Sequence, residues 1–211
     1  MRRLKKVVSA FLALLLLAVC PIYGEEPALA AEIQPRLRLG YYWFNTPRNV
    51  YFDLSALSSS YQTQAVSAMN IWNQVRTPDN EKMVTFLRQT SSSGYTANRI
   101  NFEPMVSSTT LGQMTPNYTI GGELLSVKIS LNSNKNWSAG GSMSTYDVKS
   151  VILHELGHAL GIAHCHELED GETCFSPTCK KNVMQPARIY LNTVRTTLQE
   201  YDTASYTIIY W

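Results

Sequence analysis

Three of the four histidines in the chain lie in one short stretch, HELGHALGIAH, which runs from His154 to His164. His154 and His158 are four residues apart, so on a helix they lie one turn apart on the same face, where two imidazoles can bind one cation. Glu155 points about a quarter-turn away, close enough to reach a metal-bound water but poorly placed to be a ligand. Gly161 can adopt a positive φ and turn the chain, which would bring His164 back to the same metal.

The composition around these residues indicates a buried helix. Between Val151 and Ala163 the polar side chains are those of His154, Glu155 and His158, and all other residues are apolar. A helix that is apolar on nearly all sides lies inside a protein. An unpaired buried polar group costs about 2–7 kcal/mol, so these three groups need one shared explanation. A bound metal ion provides it, whereas ordinary surface histidines would belong to a more polar helix.

The predicted ligand set favours one catalytic zinc ion. Three histidines with an open fourth position are typical of catalytic zinc, while structural sites are closed by protein ligands. Zinc would lower the pKa of its bound water to about 7 and polarise a carbonyl group. Glu155 would take the proton as the water attacks and pass it to the leaving nitrogen. The intact Glu155 argues against a binding module that keeps the metal site only as a relic.

The rest of the chain must supply the elements that hold this helix. The alternation in RLRLGYYW, residues 36–43, predicts a strand with one buried face, and Ser58–Ser60 can cap a helix that ends at Pro78. Further strands are predicted at MVTFLRQ, NRINFEP and LLSVKISL. The last helix is expected to place on one face Val194, Leu198, Tyr201 and Ile208. This order of elements predicts an α/β or α+β domain with one main sheet.

The first thirty residues are typical of a secretory signal peptide. A basic start precedes an apolar run from Val7 to Val19, which is too short to span a bilayer comfortably. Small residues at Ala28 and Ala30 complete the pattern. Cleavage after Ala30 would give a secreted protein, whereas an uncleaved segment or a lipid anchor at Cys20 would hold the protein at the cell surface.

The charge balance gives no reason to expect a polyanionic partner. The chain has 18 Lys and Arg and 16 Asp and Glu, and the predicted signal holds four of the former and two of the latter, which leaves 14 of each. A net charge of zero offers no electrostatic attraction to nucleic acid or to an anionic membrane. The charge balance therefore predicts no nucleic-acid partner and no membrane attachment after removal of the signal peptide. Separately, we expect a monomer, and the chemistry predicted for the zinc site indicates a protein or peptide substrate.

Three cysteines would remain after signal cleavage, and they allow three interpretations. In an exported protein a disulfide is expected first, here between Cys165 and either Cys174 or Cys179, with one cysteine left over. The second is a second zinc ion held by these cysteines together with His166, since they are the ligand types of a closed site. The third is a regulatory thiol that reaches the catalytic zinc.

The motif resembles that of a known family. His154 to His164 matches H-E-x-x-H-x-x-G-x-x-H, the zinc motif of the metzincin metalloproteases, and Met184 in NVMQP resembles the methionine of their Met-turn. The segments SMSTYDVKSVILHELGHALGIAH and LSVKISLNSNKNW are similar to the matrixin branch, the matrix metalloproteinase type. The resemblance covers about residues 36–211.

The resemblance implies a fold and an activity. It implies a zinc-dependent endopeptidase whose metzincin catalytic domain, residues 31–211, has a larger N-terminal subdomain (about 31–163) above the zinc and a smaller C-terminal one (about 164–211) below. Met184 would form the floor beneath the metal. The substrate would pair as an extended strand with a sheet edge, for which Leu111–Pro116 is the candidate.

The sequence also departs from the matrixin pattern. Cleavage near Ala30 would leave no room for the cysteine-containing prodomain that blocks the zinc in most matrixins. Between Ser91 and Tyr146 there is no histidine, and the acidic residues there are Glu103 and Glu123, so a structural zinc is not expected and calcium is not supported. The residue after the third histidine, usually serine, is a cysteine here, and the loop before the Met-turn is longer.

Overall fold

The computed structural model describes residues 38–90, 96–165, 182–185 and 194–211, all within one compact unit, Gln34–Trp211. The chain combines helices with strands that pair in both parallel and antiparallel directions, in agreement with the predicted α/β (α+β) class. In chain order the elements are β1 (Arg48–Phe52), α1 (Ser59–Trp72), β2 (Val84–Arg88), β3 (Arg99–Glu103), β4 (Gly112–Tyr118), β5 (Leu124–Asn132), β6 (Trp137–Ser138), β7 (Tyr146–Asp147), α2 (Val148–Ala159) and α3 (Glu200–Tyr210).

The strands are arranged so that β4 lies at an edge. β1 pairs in parallel with β2, and β5 lies between β3, its parallel neighbour, and β4, its antiparallel neighbour. A parallel bridge from Asp53, which follows β1, to Arg99 of β3 connects the two groups of strands. Within the ranges given above, β5 is therefore the partner of β4 on one side and the other side of β4 is open.

Hydrogen bonding fixes which residues of β4 face this open side. The N–H of Asn132 donates to the carbonyl of Leu111 at 2.8 Å, and hydrogen-bonded and non-bonded pairs alternate along an antiparallel ladder. The main-chain groups of Gly112, Met114 and Pro116 therefore point away from β5. Proline has no N–H to donate, so this outward position is one where a strand tolerates it.

Helix α1 confirms the predicted cap but ends earlier than predicted. The Ser58 side chain accepts from the N–H of Tyr61, as expected of an N-cap. The helix ends at Trp72, six residues before Pro78. The Asn73 side chain explains the early end, because it donates to the carbonyl of Phe86 and accepts from its N–H, both at 2.8 Å. These bonds tie the end of the helix to β2.

The strand predicted at residues 36–43 is wrong for the part that can be described. From Arg38 to Trp43 the chain makes isolated bridges to two different partners, Ile162 and Glu123, and it bends at Gly40, whose φ is 78°. The first strand is instead RNVYF, Arg48–Phe52. The apolar and polar side chains alternate because this segment packs between two loops. Its main chain does not pair continuously with a neighbouring strand.

The last helix begins later than predicted. Val194 and Leu198 precede it, and its buried face consists of Asp202, Ser205, Tyr206, Ile209 and Tyr210. A capping box fixes the start, since Gln199 and Asp202 each bond the main chain of the other. The buried face is therefore set by a polar cap that apolar spacing alone does not reveal.

Candidate metal centre

Helix α2 ends as its sequence predicts. Gly161 has a φ of 85°, which confirms the expected turn. The N–H of Ile162 donates to Gly157 O at 3.1 Å and that of Gly161 to His158 O at 2.9 Å, the pattern of a Schellman motif. A Cβ at Gly161 would overlap the carbonyl of Tyr41, so space as well as φ favours glycine. The turn carries His164 back toward α2.

The three predicted histidines come together at one point. The Nε2 atom of His164 lies 3.2 Å from Nε2 of His154 and 3.0 Å from Nε2 of His158. Zinc–nitrogen bonds of 2.0–2.1 Å in a tetrahedral site place ligand nitrogens about 3.3 Å apart. The three side chains therefore form a group that could hold a metal ion.

Hydrogen bonds on the other ring nitrogens set the tautomers. Nδ1 of His154 contacts Val183 O at 2.7 Å, and Nδ1 of His158 contacts Ile162 O at 2.8 Å. A carbonyl only accepts, so each Nδ1 carries the proton and each Nε2 presents a lone pair. Nε2 of His164 can donate to at most one of these two neighbours. A bound cation best explains the close approach of the three Nε2 atoms, and imidazole nitrogens are suitable ligands for one.

Burial keeps the imidazoles of His154 and His158 neutral. Desolvation, followed by the charge of His158, holds the pKa of His154 well below its ordinary value of 6.5. Desolvation and the neighbouring His164 lower the pKa of His158 to about 4. Neutral imidazole is the form that binds metal, so these two side chains are ready to bind at neutral pH.

Glu155 lies between α2 and β4 and is only 4% exposed. The N–H of Met114 donates to its carboxylate, and Gly112 of β4 lies directly against it. Burial raises the pKa of this carboxyl to about 8, despite the opposing effect of the Met114 hydrogen bond. A nearby dication acts in the opposite direction and favours the ionised form. The Glu155 carboxylate, next to His154 in the chain, thus lies in a buried position between α2 and β4.

Met184 packs against helix α2 and is fully buried. It belongs to a tight turn in which the N–H of Gln185 donates to Asn182 O at 3.4 Å, and its carbonyl accepts from the N–H of Cys165 at 3.0 Å. A Cβ at Gly157, within the histidine motif, would overlap its sulfur. The sequence gives no sign that Gly157 is needed here, because only the folded turn shows that Met184 occupies the space beside it.

Gly157→Ala is expected to lower the free energy of unfolding by about 1–3 kcal/mol through overpacking against Met184. Helix propensity alone predicts the opposite sign, because alanine is favoured over glycine by about 1 kcal/mol. Urea unfolding of the purified variant beside wild type measures the sign directly. A gain in stability would contradict the close packing of Met184 on the helix.

Asp202 is a site residue that sequence analysis missed. Its carboxylate is fully buried and accepts from the N–H groups of Val183 at 3.0 Å, Met184 at 3.1 Å and Gln199 at 2.8 Å. Desolvation raises the pKa of this carboxyl, and its three backbone hydrogen bonds oppose the rise. Val183 in turn accepts from His154, so Asp202 of α3 is connected to the histidine group through one residue. The capping-box spacing Gln199–Asp202 signals a helix start but not this second role.

The cysteine interpretations fall largely outside the described residues. His166, Cys174 and Cys179 lie there, so the disulfide and the second zinc site stay predictions. Cys165 can be described, and burial raises the pKa of its thiol to about 11. The predicted signal peptide, residues 1–30, also lies outside these ranges. None of the helices described is long and apolar enough to cross a membrane.

A comparison with known families decides what kind of protein this is. The family model described as Matrixin matches residues 53–211. The chain belongs to the matrixin family. The resemblance to matrixins predicted from the sequence is thereby confirmed, and this matrixin is a zinc metalloendopeptidase whose α/β architecture is the one expected of its family.

Several solved structures resemble this matrixin distantly. High choriolytic enzyme 1, a hatching-enzyme zinc protease from the medaka fish Oryzias latipes, is 14% identical, with a TM-score of 0.45 over 80% of this chain and 94% of that one. A structure of myroilysin is also 14% identical, with a TM-score of 0.48 over 82% and 97%. A second myroilysin crystal structure is 15% identical, with a TM-score of 0.46 over 81% and 86%. No curated protein matches the chain.

Proposed function

We propose that this matrixin is a secreted endopeptidase in which His154, His158 and His164 hold the catalytic zinc ion and Glu155 is the general base. Met184 forms the floor beneath the metal. The observation that carries the proposal is the meeting of three imidazole nitrogens at one point, with the buried Glu155 next to His154 in the chain. Two orienting carbonyls and a helix-ending turn hold this arrangement.

The chain's own residues have separate tasks in peptide hydrolysis. Zinc, when bound, polarises the scissile carbonyl and makes water more acidic. Glu155 accepts a proton from the attacking water on its carboxylate and then donates it to the nitrogen that leaves. The hydrogen bond from the N–H of Met114 keeps that carboxylate in place. The apolar walls around Glu155 exclude bulk water, which strengthens electrostatic interactions in the site.

The open side of β4 is the proposed place for the substrate main chain. The N–H of Met114 reaches the general base, so the same side of the strand that faces away from β5 also faces the catalytic residue. An extended peptide lying along Leu111–Pro116 would therefore pass Glu155. Pairing of this kind uses the main chain of the protein for affinity and leaves specificity to side-chain pockets.

The proposal includes a division of the domain and a route of export. The N-terminal subdomain, residues 31–163, would carry the sheet, α1 and α2, and the C-terminal one, residues 164–211, would carry His164, Met184 and α3. The segment 1–30 would direct secretion and be removed. Separating cells from medium and sequencing the N-terminus of the recovered protein tests the cleavage; cell-bound protein that starts well before Ala31 would support a cell-surface anchor instead.

Metal removal tests the activity. We expect purified protein to digest casein, to lose this activity on treatment with 1,10-phenanthroline, and to regain it when zinc is restored. Elemental analysis of the active protein is expected to give one catalytic zinc per chain, with a second only if the cysteines bind one. Casein digestion that persists after zinc has been removed would contradict the proposed function.

A further inference from the structure

The first residue of β4 makes an unusually close contact with the general base. A Cβ placed on Gly112 would lie 2.6 Å from Cγ1 of Val151, 2.8 Å from Oε1 of Glu155 and 3.1 Å from Cγ of Glu155. Contacts under 3.0 Å force something to move. The absence of a side chain at residue 112 is therefore required by what stands beside it.

Backbone conformation does not explain this glycine. The glycines with positive φ in the described ranges include Gly122 and Gly161, but Gly112 is not one of them. Gly112 lies in strand β4, and the extended backbone of a strand is one that any residue adopts. Space is thus the reason that glycine is needed at this position, and the space is taken by the catalytic carboxylate and the residue one turn before it.

We propose that Gly112 is a positioning residue for Glu155. The inference rests on the proposed role of Glu155 as general base. Without a side chain at Gly112, β4 comes close enough to α2 for the N–H of Met114 to reach the Glu155 carboxylate. Gly112 thus limits the carboxylate on one side, and the Met114 hydrogen bond holds it in place. This contact therefore fixes the position of Glu155, the proposed general base, relative to the edge of β4 that is proposed to bind the substrate.

The surroundings leave few ways to accommodate a larger residue. Val151 is 2% exposed and Glu155 4% exposed, so neither side chain has free space to enter. The hydrogen bond from Asn132 to Leu111 holds β4 on β5 immediately before residue 112. A methyl group at 112 must turn the carboxylate away or lift the strand, and either change weakens the Met114 hydrogen bond. A misplacement of about 1 Å in a catalytic group can lower the rate about 10²-fold.

The test compares Gly112→Ala with a matched control, Gly121→Ala. Gly121 lies in the β4–β5 hairpin, where the nearest atom to an added Cβ is 3.7 Å away and φ is not positive. We expect Gly112→Ala to lower kcat about 10²-fold, with a smaller change in KM and with one zinc still bound per chain. Gly121→Ala is expected to behave as wild type. A wild-type kcat in Gly112→Ala would overturn the proposal.

A double variant separates positioning of Glu155 from simple packing. Adding Val151→Ala to Gly112→Ala removes the contact with Val151 but keeps the one with Glu155, and Val151→Ala alone provides the reference. We expect the double variant to regain Tm relative to Gly112→Ala while kcat stays low. Recovery of both would show that Gly112 only serves helix packing, which overturns the proposal. If Glu155→Gln is inactive while Gly112→Ala is fully active, the positioning role of Gly112 is wrong but the proposed function stands. If Glu155→Gln is active, the proposed function itself is wrong.

Discussion

Glu155→Gln is expected to lower kcat by about 10²–10⁴-fold, the usual contribution of general acid–base catalysis, while the zinc content stays at that of wild type. The amide has nearly the same shape but cannot accept the proton from water or deliver it to the leaving nitrogen. Glu155 is not one of the three residues whose side chains converge on the proposed metal position. Its replacement therefore leaves the proposed ligands in place. Initial rates on a fluorogenic peptide and elemental analysis of the same sample measure both quantities.

The control for this experiment is Glu81→Gln, which makes the same chemical change at an exposed position. It is expected to keep wild-type kcat and Tm. Glu155→Gln is also expected to be no less stable than wild type, because a neutral amide avoids the cost of burying a charge. Turnover within tenfold of wild type in a zinc-loaded Glu155→Gln sample would rule out Glu155 as the general base.

Asp202→Asn is expected to destabilise the fold and weaken zinc binding together. The carboxylate accepts three backbone N–H groups, from Val183, Met184 and Gln199, and an amide nitrogen cannot replace an accepting oxygen. The expected loss is about 3 kcal/mol, or about 6–12 °C in Tm for a domain of this size. Because Val183 orients His154, zinc affinity is expected to fall about 10–100-fold, as for other residues that support metal ligands.

Differential scanning calorimetry and zinc competition with a chromogenic chelator measure these two effects. Glu200→Gln is the matched control, since Glu200 is exposed and lies in the first turn of the same helix. It is expected to change neither quantity beyond a few tenths of a kcal/mol. A lowered Tm with unchanged zinc affinity would mean that Asp202 only caps α3 and does not support the metal centre.

The sequence predicted the part of the site that is local in the chain. His154, His158 and His164 meet because helical spacing and one turn bring them together, and both of these are encoded within eleven residues. Gly161 adopts the positive φ that its position required. The strand carrying Leu124–Asn132 was predicted for the same reason, since its alternation reports directly on one buried face.

The contributions that the sequence did not reveal depend on neighbours distant in the chain. Gly112 lies against Glu155, which comes 43 residues later in the chain. Nothing in the sequence around Gly112 indicates that a side chain there would overlap Glu155. Asp202 supports Met184 from a different element, so its local role as a helix cap conceals the other one. The predicted strand at 36–43 failed in the same way, because its alternating pattern reports burial but not what the backbone bonds to.

Pro116 gives the open edge of β4 a protective property. An exposed strand edge is a template on which a second copy of the same protein can add its own strand, and unchecked addition leads to aggregation. Of the three residues whose main chain faces outward, Pro116 has no N–H and Met114 already gives its N–H to Glu155. The edge thus lacks two of the donors that a continuous ladder between molecules would need. A protease with the proposed substrate path along this strand would thus remain a poor pairing partner for a second copy of itself.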